Sequence, residues 1–346
     1  MMQISPETQL FIREHSSDDV RVLALQAKKY PDIDIPTAIT QIAGRKVAAE
    51  KIPSWWEIEK IWYPKHLSLE QCSSEITARY KARLLQGDSL TDLTGGFGID
   101  CSFLATGFKS ATYVERQEEL CEIAAHNFPV LNLNHINIKN EDGVTYLQAM
   151  SPVDCLFLDP ARRNEHGGKT VAISDCEPNV AELEELLLQK ANRVMIKLSP
   201  MLDLSLALKE LKQTQEVHIL SVNNECKELL ILLGQTSPTE ISIHCVNLST
   251  KGTQEEQHFV FTREQEQCSE CTYTDSLETY LYEPNASLLK AGAFRSIAAA
   301  YPVRKLHPNS HLYTSDTFIE NFPGRIFRIV NQCSFNKKEV KENLAD

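Results

Sequence analysis

Between residues 89 and 233 short apolar runs alternate with helical patterns, and this order narrows the possible folds more than any other feature of the chain. The runs that read as strands are 89–92, 111–115, 136–139, 153–159, 193–198, 216–222 and 228–233. Helical patterns at 118–128, 144–149, 180–190 and 204–212 separate most of them. The runs are apolar throughout rather than alternately, as expected of parallel strands covered on both faces. Asn223-Asn224 joins the last two runs, and so short a link suits an antiparallel hairpin.

The expected fold class is therefore α/β, a Rossmann-like sheet of seven strands closed by a hairpin. That is the order of class I S-adenosylmethionine (SAM) methyltransferases. A nicotinamide-binding domain would continue instead with a parallel sixth strand. Residues 1–80 read as a helical N-terminal part and 81–235 as the α/β domain. Beyond Gly234 the pattern changes: 241–248 and 258–262 read as two strands of a small separate module.

The glycine segment Asp92-Leu93-Thr94-Gly95-Gly96-Phe97-Gly98 follows the first strand and opens a helix. Glycines there let the backbone approach a ligand at a helix N-terminus. A tight turn with no ligand is the competing reading. Glu115 tips the balance, because it ends the next strand, where an acid can bind ribose hydroxyls; Arg116 follows it. Asp142 follows the third strand, where a side chain can bond an adenine amino group. The expected cofactor residues are Asp92, Thr94, Gly95, Gly96, Gly98, Glu115, Arg116, Asp142 and Asp159, with Glu75 and Arg79 reaching in from the preceding helix.

The fourth strand runs into Asp159-Pro160-Ala161-Arg162. In an open α/β sheet ligands bind beyond the carboxyl ends of the strands. Pro160 stiffens the turn, and Asp159 can accept a hydrogen bond from a target amine. Arg162 can contact a phosphate or stack. Asp159, Pro160 and Arg162 are thus the expected catalytic residues. No aromatic follows Pro160, although amino-methylating enzymes often have one there. No cysteine follows the fifth strand, at Lys197-Leu198-Ser199-Pro200, and Cys155 lies inside a strand. Thiolate-dependent C5 methylation is therefore disfavoured. Trp55, Trp56, Trp62 and Tyr63 read as core rather than as stacking platforms.

The net charge of -12 argues against non-specific coating of nucleic acid. Residues 286–346 depart from it, with nine Lys/Arg against five acids, so an RNA contact there is a candidate. The ten cysteines form no dense framework, as befits free thiols in a reducing cytoplasm. The single CxxC, Cys268 and Cys271, has no second pair nearby, and no metal is expected. No apolar stretch is long enough for a membrane span, and the N-terminus does not read as a signal peptide.

The segments QCSSEITARYKA, DLTGGFGID, DPARR, KLSPMLD, NNECKELL and YEPNASLLKAGAF occur in this order and together resemble a bacterial family, found chiefly in Bacteroidetes. Its members are class I methyltransferases with a THUMP-like C-terminal domain. The resemblance implies a ferredoxin-like domain at 236–279 and a THUMP-like domain at 280–346, cut short at Asp346. It implies the cofactor SAM and an RNA partner, because THUMP domains deliver RNA to modification enzymes. The expectation is a cytoplasmic SAM-dependent methyltransferase acting on a base of tRNA or rRNA. The rivals are a small-molecule methyltransferase and a non-catalytic RNA-binding protein retaining the fold.

Overall fold

The computed structural model describes residues 4–162, 172–236, 238–250 and 256–333, with 336, 339 and 341. Two compact units emerge: Met1–Gln213 with Leu232–Thr236, and Thr214–Ile231 with Ser237–Asp346.

The first unit opens with helices, as the sequence predicts. Ser5, Asp19 and Asp34 cap three of them, each accepting a backbone N–H from the first turn, and Pro36 sits in the first turn of Ile35–Lys51. Phe11, Leu23, Ile35, Ala38 and Ile42 form one core. A second core gathers Ile52, Trp55, Tyr63 and Ala78 with Phe97 and Ile99. Phe97 belongs to the glycine segment, so the helical part anchors that turn directly. Trp55 meets the Phe97 ring edge-on at 5.2 Å. Trp62 stacks on His126 at 3.7 Å, while Trp56 is 41% exposed beside Arg45.

The α/β part follows with β1 (Ser89–Asp92), β2 (Ser110–Glu115), β3 (Ile136–Asn140), β4 (Val153–Leu158), the two-residue pair β5 (Ala161–Arg162) and β6 (Cys176–Glu177), and β7 (Ala191–Leu198). Five of these lie parallel in the order β7-β4-β1-β2-β3. The chain departs from β1 to one side and returns to β4 on the other. The order therefore reverses between β1 and β4, and a crevice opens there at the carboxyl ends.

β8 (Thr214–Val222) and β9 (Glu225–Gly234), whose residues up to Ile231 belong to the second unit, form the expected hairpin. Asn223 and Asn224 both have positive φ, 50° and 65°, as a two-residue turn matched to strand twist requires. The structure then differs from the sequence reading. β10 (Ser242–Leu248) runs parallel to β8, and β11 (Glu256–Thr262) pairs antiparallel with β10. These strands continue the hairpin's sheet rather than forming a module apart. Ile243, Cys245 and Val246 are all buried, which puts protein against both faces of β10. A smaller antiparallel sheet follows, built from β12 (Tyr280–Pro284), β13 (Arg304–Lys305), β14 (Tyr313–Ser315) and β15 (Gly324–Arg328) in the order β13-β14-β12-β15. Tyr282, Tyr313 and Phe322 fill its core.

Candidate cofactor and substrate site

The glycine turn is fixed from below. Gly95 N–H donates to the Val114 carbonyl at 2.8 Å, and the Tyr113 hydroxyl donates to the Gly96 carbonyl at 2.5 Å. A Cβ on residue 95 would lie 2.2 Å from the Tyr113 ring, so no other residue fits there. Gly96 has φ 53°, and a Cβ built on it would meet nothing closer than 3.8 Å. Its outer side is open. Gly98, with φ 87°, opens the helix Ile99–Ala105.

Carboxylates line this turn. Glu115 accepts from Gly96 N–H at 2.9 Å through one oxygen and from Gln117 N–H at 2.8 Å through the other. Asp92 Oδ1 accepts from Thr94 N–H at 2.9 Å. Asp92 Oδ2 is buried and has no hydrogen-bond partner among the described residues. Burial pushes the Asp92 carboxyl well above its usual range; the Thr94 bond offsets this in part, and Asp100, Asp159 and Glu115 push it further up.

Across the crevice Asp159 N–H donates to Thr94 Oγ1 at 2.6 Å. This bond ties the carboxyl ends of β1 and β4 together. Asp159 Oδ2 pairs with Lys197 Nζ at 2.5 Å, and Lys197 also lies 3.5 Å from Asp100 Oδ2. The fully buried Lys81 pairs with Asp100 Oδ1 at 2.9 Å. Ser73 Oγ joins them all: it donates to Asp100 at 2.7 Å and accepts from Lys81 at 2.8 Å and Lys197 at 3.1 Å. Burial alone would raise the Asp100 carboxyl, but the two lysines outweigh it and hold it below its usual value. Asp159 goes the other way, because burial exceeds what Lys197 offsets. Four acidic side chains, Asp92, Asp100, Glu115 and Asp159, thus stand with two ammonium groups around the crevice.

Ser73, Lys81, Asp100 and Lys197 are absent from the site residues expected from the sequence. A signal for Lys81 exists: it stands three and four residues after the buried Ala78 and Thr77, on the apolar side of the helix Glu75–Ala82. Glu75 and Arg79, expected to reach the cofactor, pair with each other at 2.6 Å, and Glu75 also accepts from Ser54 N–H at 2.8 Å. Arg116 forms an exposed pair with Glu177 at 3.3 Å. Asp142 Oδ1 caps the helix Gly143–Ala149, accepting from Val144 and Thr145 N–H at 3.1 and 3.0 Å. Pro160 is buried beside Asp159. The Arg162 side chain and all of Arg163 lie outside the described residues. Burial pushes the Cys155 thiol up to about 11, against any nucleophilic role.

A protein from Porphyromonas gingivalis W83, whose crystal structure bears the name "putative methyltransferase", superposes with a TM-score of 0.85 and 34% identity, over 99% of this chain and 86% of that one. The chain belongs to that methyltransferase family. A family profile described as a ferredoxin-like domain matches residues 280–323, the stretch of β12 to β14, rather than 236–279. An rRNA methylase from Streptococcus thermophilus shares 14% identity over 46% of this chain and 93% of its own, at a TM-score of 0.33. A Streptococcus mutans methyltransferase in complex with SAH shares 13% over 46% and 96%, also at 0.33. Likeness at that level says nothing of what this chain binds. No curated protein matches the sequence. Among the described residues no helix is long and apolar enough to cross a membrane.

Proposed function

We propose that the protein is a SAM-dependent methyltransferase that modifies a base of tRNA or rRNA in the cytoplasm. The observation that carries the cofactor reading is the buried, unpartnered Asp92 Oδ2 beside an open Gly96, inside an acidic crevice at the sheet's reversal point. A polar atom left unpaired in the apo protein is expensive, and a cationic ligand would repay it. Bound SAM would supply an electrophilic methyl group on a good leaving group, so the protein's contribution is alignment and charge. Gly95, Gly96 and Gly98 shape the cradle. Glu115 is placed to exchange its Gly96 bond for a ribose hydroxyl. Asp92 offers its free oxygen to a cationic group.

Asp159 would hold the acceptor. Lys197 fixes one of its oxygens, and the Thr94 hydroxyl fixes its backbone, so the carboxylate presents one orientation to the crevice. A target amine donating to it keeps the nitrogen lone pair free for the methyl group.

The RNA reading rests on the basic excess of the C-terminal residues and on the THUMP-like resemblance. Part of that excess is spent internally: Arg304 and Arg325 pair with Glu278 and Glu283, and Lys305 is buried. Titration calorimetry with SAM tests the cofactor, and Glu115→Ala should weaken binding on the order of tenfold through loss of one charge-assisted bond. Unchanged affinity would remove Glu115 from the ribose role. Mass spectrometry of nucleosides in total RNA from a deletion strain tests the substrate. One missing methylated nucleoside is expected, and an unchanged profile would favour a small-molecule acceptor.

A further inference from the structure

Three histidines and a glutamate, none of them among the residues assigned above, converge on one sheet face in the second unit. His218 on β8 stands directly opposite His244 on β10, and Glu216 precedes His218 by two residues, hence on the same face. His258 on β11 stands opposite Val246, also on that face. The His218 and His244 rings stack at 4.2 Å with 19° between their planes. His218 Nε2 lies 3.3 Å from Glu216 Oε2, and His244 Nδ1 lies 3.1 Å from His258 Nε2. One donor atom each from Glu216, His218 and His244 fall within 4.8 Å of one another.

The geometry points to a divalent transition-metal site at Glu216, His218 and His244, with zinc as the ion best suited to the donors. Two imidazoles and a carboxylate are a borderline-soft N/N/O set, the class that holds zinc with a fourth position left for solvent. Donor atoms about 2.0–2.1 Å from a tetrahedral ion sit roughly 3.3 Å apart. The Glu216–His218 separation already equals that spacing, and the third donor reaches it by a side-chain adjustment. Two ligands lie on neighbouring strands in fixed register, so the backbone pre-sets the distance between them. His258 bonds the His244 ring from the far side. It is the positioning residue that fixes the tautomer and orientation of a ligand imidazole.

A plain cross-strand ladder of stacked and hydrogen-bonded rings is the alternative, and metal binding separates the two. The full-length protein, stripped with a chelator, would be titrated with cobalt(II) and followed by visible absorption. The expected result is one equivalent bound with the intense d–d bands of a four- or five-coordinate ion. The bands should be lost in His244→Gln and kept in the Cys268→Ser/Cys271→Ser double variant. Zinc should raise the Tm of the wild type but not of His244→Gln, whose metal-free Tm reports independently that it is folded. His258→Ala should bind about tenfold to hundredfold more weakly. Only the weak spectrum of the six-coordinate aquo ion, or bands that survive His244→Gln, would overturn the site. So would bands that vanish with the two cysteines.

Discussion

Asp92 ends β1 and Asp154 lies near the start of β4, its neighbour in the sheet, so the two acids stand at opposite ends of adjoining strands. Asp154 Oδ2 accepts from Asp88 N–H at 2.8 Å, Ser89 N–H at 2.9 Å and Ser89 Oγ at 3.0 Å. Those bonds hold its carboxyl below the usual range. Asp92 accepts one backbone bond, keeps a buried oxygen unpaired, and is pushed up. The same residue type thus completes the structure at the amino end and leaves it incomplete at the carboxyl end. In a parallel sheet the incomplete end is where ligands bind. The contrast extends to the lysines, since Lys109 pairs with Asp88 in solvent while Lys81 pairs with Asp100 in the interior.

The largest expected effect tests that second contrast. Lys81→Met leaves Asp100 buried with one cation fewer, and breaking a buried pair on one side costs roughly 3–5 kcal/mol. Urea denaturation should show it. Lys109→Met, at the exposed end, should leave stability unchanged within error. Equal effects of the two variants would mean that the Lys81 cluster is hydrated, and the distinction between the two ends would fail.

Next in size is the exchange of the acids themselves. Asp92→Asn keeps the shape and the Thr94 bond but removes the capacity for negative charge. SAM affinity should drop by about tenfold to a hundredfold, the worth of one bond to a charged group, while the midpoint of urea unfolding stays put or rises. Asp154→Asn should do the reverse, lowering stability and sparing affinity. If Asp154→Asn weakens SAM binding as much as Asp92→Asn does, the two ends are not functionally distinct.

Much of the α/β framework was legible because buried parallel strands are apolar along their whole length. The runs at β1 and β4 match to within a residue, and Asn223-Asn224 announced its hairpin through residues that tolerate positive φ. Strand ends were missed where polar residues continue the ladder, as at Glu225 and Lys227 in β9. The placement of β10 beside β8 is a long-range parallel pairing that no local pattern encodes. The glycines and Glu115 were legible as parts of one turn because backbone geometry and strand position constrain them. Lys81 and Lys197 were not, because a charged residue on a helix or at a strand end usually reaches solvent. Only the finished fold shows Asp100 and Ser73 waiting for them. Asp142, expected at the adenine, caps a helix through one of its oxygens.

The smallest effects are those of pH, and they sharpen the comparison because the two acids must act with opposite sign. Asp154, held low, stabilises the fold above the ordinary carboxylate value of about 3.9, and that stabilisation is lost as pH falls through its folded value. Asp92, held high, keeps its proton in the folded state after the unfolded chain has released it. Its contribution favours folding at low pH and is lost as pH rises from about 3.9 towards the folded value. Relative to wild type, Asp92→Asn should therefore gain stability as pH rises through that window, and Asp154→Asn should approach wild type as pH falls below it. SAM binding adds a second reading of the same proton. A cationic ligand at Asp92 favours the carboxylate, so at a pH inside that window binding should release protons, and apparent enthalpies should differ between buffers of different ionisation enthalpy. In Asp92→Asn the buffer dependence should shrink. Buffer-independent enthalpies in the wild type would show that Asp92 is already ionised in the free protein, and the incomplete end would then be charged rather than protonated before the ligand arrives.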